Sequence, residues 1–372
     1  MTDTTATEKK YPVGQHPDLP PPAGTIGVVG WIRENLFPSV LSGVLTIAAL
    51  GLLYYILPPI LSWAIFDADF VGTSKAECTS GGACWVFINV RLNQLIFGFY
   101  PSHLYWRPIL AFVLLFVALY PLLFDNVPYR KYWVCFTIAY PVIGYFLLMG
   151  GLGLEEVVSS NLGGFMLTVV IGVTGIVASL PIGIVLALGR RSQMPIVRVL
   201  CVCFIEFIRG VPLITVLFMS SVMLPLFLPE GVSFDKLLRV LIGVALFASA
   251  YMAEVIRGGL QAIPRGQYEA AQALGLTYWK MMGLVVLPQA LKIVIPGIVS
   301  NFIELFKDTT LVSIIGLLDL LGMTKAAVAD SKWIGLAHEG YIFAALVYFI
   351  CCFSMSRYSL YLENRLHTGH KR

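Results

Sequence analysis

A chain of 372 residues that is 58% hydrophobic and only 12% charged, with a mean hydropathy of +0.82, carries far more apolar surface than a water-soluble core needs. That excludes an ordinary soluble domain, and a net charge of +4 leaves no electrostatic footprint for nucleic acid. The chain reads as an all-α, polytopic membrane protein with about eight transmembrane helices.

Residues 1–36 form a polar tail with Pro17, Pro20, Pro21 and Pro22. Lys9 and Lys10 are not followed by a short apolar core with a small-residue cleavage site, so the tail is expected in the cytoplasm rather than as a signal peptide. An interfacial turn is expected at 31–35. Residues 37–156 hold three spans. The stretch 34–67 has no internal charge and exceeds the roughly 20 residues that cross a bilayer. The second span lies within 107–125 and the third within 132–154. Between the first two, a loop at 67–105 carries Cys78 and Cys84, and its apolar part, 92–100, is expected along the membrane surface. An oxidising compartment would join those two cysteines; either a disulfide or two free thiols fits the sequence. The other five cysteines lie in apolar spans, as small hydrophobes.

Residues 157–365 hold five more spans, at 162–188, 209–230, 237–253, 293–305 and 340–358. The stretch 307–330 reads as partly re-entrant, and 366–372 as a basic tail. With the N-terminus inside, Arg130 and Lys131, the group Arg190, Arg191 and Arg198, the loop bases Arg257, Arg265 and Lys280, and the tail all fall on the cytoplasmic side. Both termini are then cytoplasmic.

The cytoplasmic loop at 258–284 is the most polar interruption. Residues 267–274 are good helix formers, Pro264 suits a helix start, and Gly275 suits a left-handed C-terminal position. Thr277 is expected to cap a second short helix at 278–284. Its spacing is specific: Glu269-Ala270-Ala271, three residues, Gly275, nine residues, Val285, one residue, Leu287-Pro288. This resembles the EAA coupling loop of ABC importer permeases, where it docks into the ATPase subunit. The resemblance implies that role for Glu269, Ala270, Ala271, Leu274, Gly275, Leu287 and Pro288. An ordinary connector would explain the polarity but not the spacing.

Charges also interrupt the apolar core. Glu206 and Arg209 are three residues apart, as are Glu254 and Arg257, while Glu304 stands near Lys307 and Asp308, and Asp319 lies in a Gly-containing stretch. An intramembrane charge costs a few kcal/mol, about 3 on insertion scales, so each needs a partner or water. Two readings stay open: neutralising i,i+3 pairs near the interface, or a path for a solute carrying both charges. Pro181, Pro212, Pro225 and Pro296 bend or break the core spans.

The stretches 206–213, 253–259, 263–271 and 307–311 are similar to the polar amino-acid subfamily of ABC permeases, over about 160–365, with Val211 and Thr310 as departures. The three extra spans resemble the larger general L-amino-acid permease subunits. What this implies is a five-helix type I importer core in the bacterial inner membrane, surrounded by lipid and carrying L-amino acids by alternating access. A second homologous permease chain, ABC ATPase subunits and a periplasmic amino-acid-binding protein would be its partners. ATP and Mg would be bound by the ATPase; no phosphate-binding loop, metal cluster or nucleophilic constellation is visible here. An ion-coupled secondary transporter and a sensor or scaffold without transport are the alternatives.

Overall fold

The computed structural model describes residues 27–124, 127–227, 229 and 234–366. Residues 1–26 of the expected N-terminal tail, Glu230, and residues 367–372 with Lys371 and Arg372 lie outside the described residues. The chain divides into two units, Met1–Asp69 with Thr79–Ala83, and Phe70–Cys78 with Cys84–Arg372.

In the first unit, α1 (Gly27–Asn35) is a helix where an interfacial turn was expected. It precedes α2 (Val40–Leu61), which continues through a π turn, Ser62–Phe66. Ser39 caps α2, its Oγ accepting from Ser42 N at 3.1 Å, and the Thr46 hydroxyl donates to the Leu36 carbonyl at 2.8 Å. Of the α2 side positions only Gly43 is buried. A helix apolar on every side, with 27 residues counting the π turn, is built to meet lipid.

The second unit contains α3 (Val86–Phe97), α4 (Trp106–Leu123), α5 (Arg130–Met149), α6 (Gly164–Arg190), α7 (Pro195–Arg209), α8 (Leu213–Phe218) and α9 (Lys236–Ala262). Then come α10 (Arg265–Ala273), α11 (Tyr278–Met281), α12 (Leu287–Ile293), α13 (Ile295–Asp308), α14 (Leu320–Val328) and α15 (Ala337–Leu366). Among the described residues there are five stretches long and apolar enough to cross a membrane, and up to seven if each bent pair counts once. The five are Val40–Phe66, Ser102–Pro121, Gly164–Arg190, Lys236–Ala262 and Ala337–Leu366. The remaining expected span corresponds to α5, 20 residues and about 30 Å long, which contributes the shorter apolar stretch Ala139–Met149.

The bends fall where the chain cannot continue a helix. Pro195–Arg209 and Leu213–Phe227 meet at 107° across Gly210-Val211-Pro212, since proline removes a donor and disfavours helix in the residue before it. Glu206 and Arg209 therefore sit on α7, before the bend, rather than bounding the span at 209–230. Tyr278–Ile293 and Ile295–Ile315 meet at 64°, with Pro296 in the first turn of α13. The stretch after α13 turns through a 3₁₀ segment, Thr309–Ile315, into the short α14, whose N-cap is the fully buried Asp319. Its carboxylate accepts from Gly322 N at 2.9 Å, from Leu321 N at 3.2 Å and from the Tyr348 hydroxyl at 2.8 Å. Satisfying those donors lets a charged residue stand deep in the fold.

Helices α6 and α9 form the centre. A side chain at Gly183 would come within 2.7 Å of Met252, and one at Gly175 within 2.9 Å of Val244 and Leu305, so glycine lets these backbones approach closely. In α3 the residues Val86, Phe87 and Leu95 are fully buried against Leu320, Met323 and Trp333, because that face finds an apolar partner within the protein.

Cys78 and Cys84 are joined by a disulfide, Cα atoms 5.7 Å apart. The loop is also fastened to the first turn of α15 and to the segment before it: Cys84 N donates to the buried Glu339 carboxylate at 3.2 Å, Lys75 Nζ to the Ile334 carbonyl, and Arg91 pairs with Asp330. Maleimide-polyethylene glycol should label five thiols on the denatured chain before reduction and seven after, read as gel shifts. Seven before reduction would refute the bridge. Cys84→Ser should destabilise the loop by about 2 kcal/mol, seen as faster proteolysis there.

Candidate functional site

The polar loop after α9 builds one half of the site. Helix α9 runs on to Ala262, so Arg257 belongs to the helix and the loop proper starts at Ile263. Pro264 stands at the N-cap of α10, and the helix stops before Gly275, whose φ is +71°. Thr277 occupies the N-cap position of α11 but makes no side-chain cap bond. A π turn, Met282–Val286, then joins α11 to α12, with Leu287 and Pro288 in the first turn of α12.

Burial sorts the loop residues. Ala271 is 2% exposed and packs with Ile256, Leu260, Met281 and Val286, pinning α10 to the end of α9. Glu269, Ala270 and Gly275 face outward, with Pro288, while Leu287 is half-buried. Leu274 (80%), Trp279 (73%) and Leu284 (71%) are large apolar groups left uncovered on this otherwise polar loop. Motif spacing does not single out Trp279 and Leu284. Their signal was there: bulky apolar residues in a segment charged too heavily to enter lipid. Braces fix the loop's angle. Arg191 Nη1 donates to the Leu260 carbonyl and to the Tyr268 hydroxyl, both at 3.0 Å, with its guanidinium 5.6 Å from the Tyr268 ring. Gln289 Nε2 donates to Gln267 Oε1 at 3.1 Å.

Immediately behind the loop, three helices meet through charge. Glu254 on α9 is the hub: its carboxylate accepts from Arg257 Nε at 2.8 Å and lies 3.3 Å from Arg190 Nη1 and 3.8 Å from Arg209 Nη1. Glu206 pairs with Arg190 at 2.8 Å and not with Arg209 three residues on; α7 turns the two towards different neighbours. Arg190 ends α6, Glu206 and Arg209 are on α7, and Glu254 and Arg257 on α9. Three arginines against two glutamates leave one positive charge in excess.

That excess borders a cavity of about 340 Å³ lined by Arg209, Tyr251, Glu254, Ser300, Asn301 and Glu304, with Val255 and Gly297. The Arg209 guanidinium stacks 5.6 Å from the Tyr251 ring. Asn301 Nδ2 is buried without a hydrogen-bond partner among the described residues, and Glu304 is exposed. The lining therefore offers a cation and an amide donor together with carboxylates, the set a zwitterion needs. Lys307 and Asp308 follow one turn beyond Glu304, at the end of α13.

Residues 179–368 match the family described as the binding-protein-dependent transport system inner membrane component. The inner membrane amino-acid ABC transporter permease protein YhdY of Escherichia coli (strain K12) is 54% identical over 95% of this chain and 97% of its own length. The chain belongs to this family. The permease is also 44% identical to the glutamate/glutamine/aspartate/asparagine transport system permease protein BztC of Rhodobacter capsulatus, over 95% of this chain and 96% of that one. Among solved structures, an amino acid ABC transporter crystallised with histidines matches at 30% identity, covering 54% of this permease and 92% of that chain, with a TM-score of 0.48. The permease is thus a multi-pass membrane component of a transport system.

Proposed function

We propose that this chain is the membrane-spanning permease subunit of an ATP-driven, binding-protein-dependent importer of L-amino acids, working by alternating access. The supporting observation is its identity with YhdY along nearly its whole length, together with a coupling-type loop that points its apolar residues outward. ABC ATPase subunits, which would hold ATP and Mg, dock on α10 and α11. Ala270 leaves room for close approach, Gly275 sets the turn between α10 and α11, Leu274 and Trp279 act as apolar anchors, and Glu269 meets a basic group. The buried Ala271 carries the push into α9, and from there into Glu254 and Arg257.

The cavity beside Arg209 lies on the translocation path. Arg209 and Asn301 receive a carboxylate, and Glu254 and Glu304 face an ammonium. The name of BztC makes glutamate, glutamine, aspartate and asparagine the first solutes to try. A second permease chain completes the path, and a periplasmic binding protein delivers the solute. The loop with the disulfide faces the periplasm and both termini the cytoplasm, an orientation that agrees with an oxidised Cys78–Cys84 pair and with the basic residues of the other side. Family membership does not favour an ion-coupled carrier or a scaffold.

The test is uptake of labelled amino acids into proteoliposomes holding the assembled complex. Accumulation should require both ATP inside and binding protein outside, and should survive collapse of the proton gradient. Uptake driven by that gradient without ATP would overturn the proposal.

A further inference from the structure

A second cavity, of about 250 Å³, lies away from the charged cluster, between the added pair α4–α5 and the core helices α6 and α9. It is lined by Phe112 and Leu115 of α4, Gly144 of α5, Met166 and Val170 of α6, and Leu241 of α9, among others. The added helices are antiparallel, since the Tyr140 hydroxyl donates to the Ala111 carbonyl at 2.9 Å and that of Thr137 to the Ala118 carbonyl at 2.6 Å. The start of α4, the end of α5 and the starts of α6 and α9 therefore share one side of the membrane, and the cavity occupies one leaflet.

Its dimensions and chemistry select an occupant. Lining residues run from Pro108 to Leu115 on α4 and from Tyr140 to Met149 on α5. At 1.5 Å per residue that is a slot about 10–14 Å deep, close to the half-thickness of about 15 Å for the hydrocarbon core. Two of its polar lining groups are already engaged. Asp235 accepts from the Ser159 hydroxyl at 2.6 Å and from Leu237 N at 2.9 Å, and Tyr140 is spent on Ala111. A zwitterionic solute would find no charge pair here, and apolar cavities of this kind stay dry and take apolar ligands. Tyr145 and Leu238, lining residues that are 59% and 44% exposed, mark an opening to the surrounding lipid.

We propose that this slot binds one acyl chain of a bilayer phospholipid, which wedges the α4–α5 pair against the transport core. The chain is drawn from the leaflet beside it and fills a gap that the side chains leave open. It gives the added helices a task the short permeases lack: the glutamate/aspartate import permease protein GltK of Escherichia coli O157:H7 matches over 92% of its own length but only 55% of this chain.

The test is photolabelling of the assembled complex in proteoliposomes containing a phosphatidylethanolamine with a diazirine midway along one acyl chain, followed by peptide mapping. Phe112, Leu115 and Met166 should be labelled at least fivefold more than Val113 and Val142, which are exposed on α4 and α5 but do not line the slot. Gly144→Leu should plug it. A Cβ at Gly144 meets only the Tyr140 ring, at 3.7 Å or beyond, so the variant should insert normally, and leucine suits a helix better than glycine. Slot labelling should then fall at least fivefold while Val113 and Val142 keep theirs. Even labelling of lining and exposed positions in the wild type, or no change in Gly144→Leu present at normal membrane levels, overturns the proposal. So does a photocrosslinker at Val170 that captures a second polypeptide in place of lipid.

Discussion

Glu254→Gln should lower the stability of the assembled permease by about 2–3 kcal/mol, less than the roughly 3–5 kcal/mol of breaking a fully buried ion pair because the carboxylate is one-fifth exposed. The reason is the count of charges. Without Glu254, Arg190, Arg209 and Arg257 converge from three helices with one glutamate ion pair left among the described residues, that of Glu206 with Arg190. Repulsion in a partly dry site would push α6, α7 and α9 apart at the level just behind the loop. Glu206→Gln is the control. That side chain is 54% exposed, and an ion pair so well solvated contributes about 1 kcal/mol or less. Thermal unfolding of the purified complex, followed by tryptophan fluorescence, separates the two. The hub assignment fails if both substitutions shift the midpoint equally. A third variant, Glu254→Gln with Arg257→Gln, should recover part of the loss, because removing one arginine restores the balance; a double-mutant cycle measures that coupling.

The site was legible in the sequence to the extent that it is local. The run of good helix formers between Pro264 and Gly275 specifies α10 through propensity and capping, and the spacing to Leu287 and Pro288 places the start of α12. Span positions follow from charge-free runs for the same reason. Partnership across helices was not legible. Glu206 and Arg209 stand at the spacing that usually pairs two side chains on one helix, yet Glu206 reaches Arg190 on α6 and Arg209 reaches Glu254, 45 residues away in the chain. That choice depends on how closely the glycine-lined face of α6 lets α9 approach, which no local pattern encodes. The path of the chain at Pro212 was half-legible: a proline announces a break, but the 107° turn is set by the packing of α8, which buries its Leu213, Val216 and Leu217 and lies against α9. Ala271 and Trp279 were hidden differently. Composition made the whole loop look solvent-facing, whereas tertiary packing buries a small residue and exposes a large one.

Gly275→Val should abolish amino-acid uptake while leaving the permease at normal levels in the membrane. The φ of +71° lies in a region that costs a residue with a side chain about 1–2 kcal/mol, and more for a β-branched one. No atom lies within 4 Å of the position a Cβ would take, so the penalty is purely conformational and the core is untouched. The chain would relieve it by altering the turn between α10 and α11, which moves Leu274 and Trp279, the exposed anchors on either side, out of their common surface. Gly275→Asn separates this from simple crowding. Asparagine tolerates the left-handed conformation, so it should keep the turn and retain most of the uptake although its side chain is as large as that of valine. Uptake and co-purification of the ATPase subunits should fall together for valine and stay near wild type for asparagine. Equal loss in both would mean that the partner needs the bare backbone at Gly275, and equal retention would remove this turn from the coupling surface.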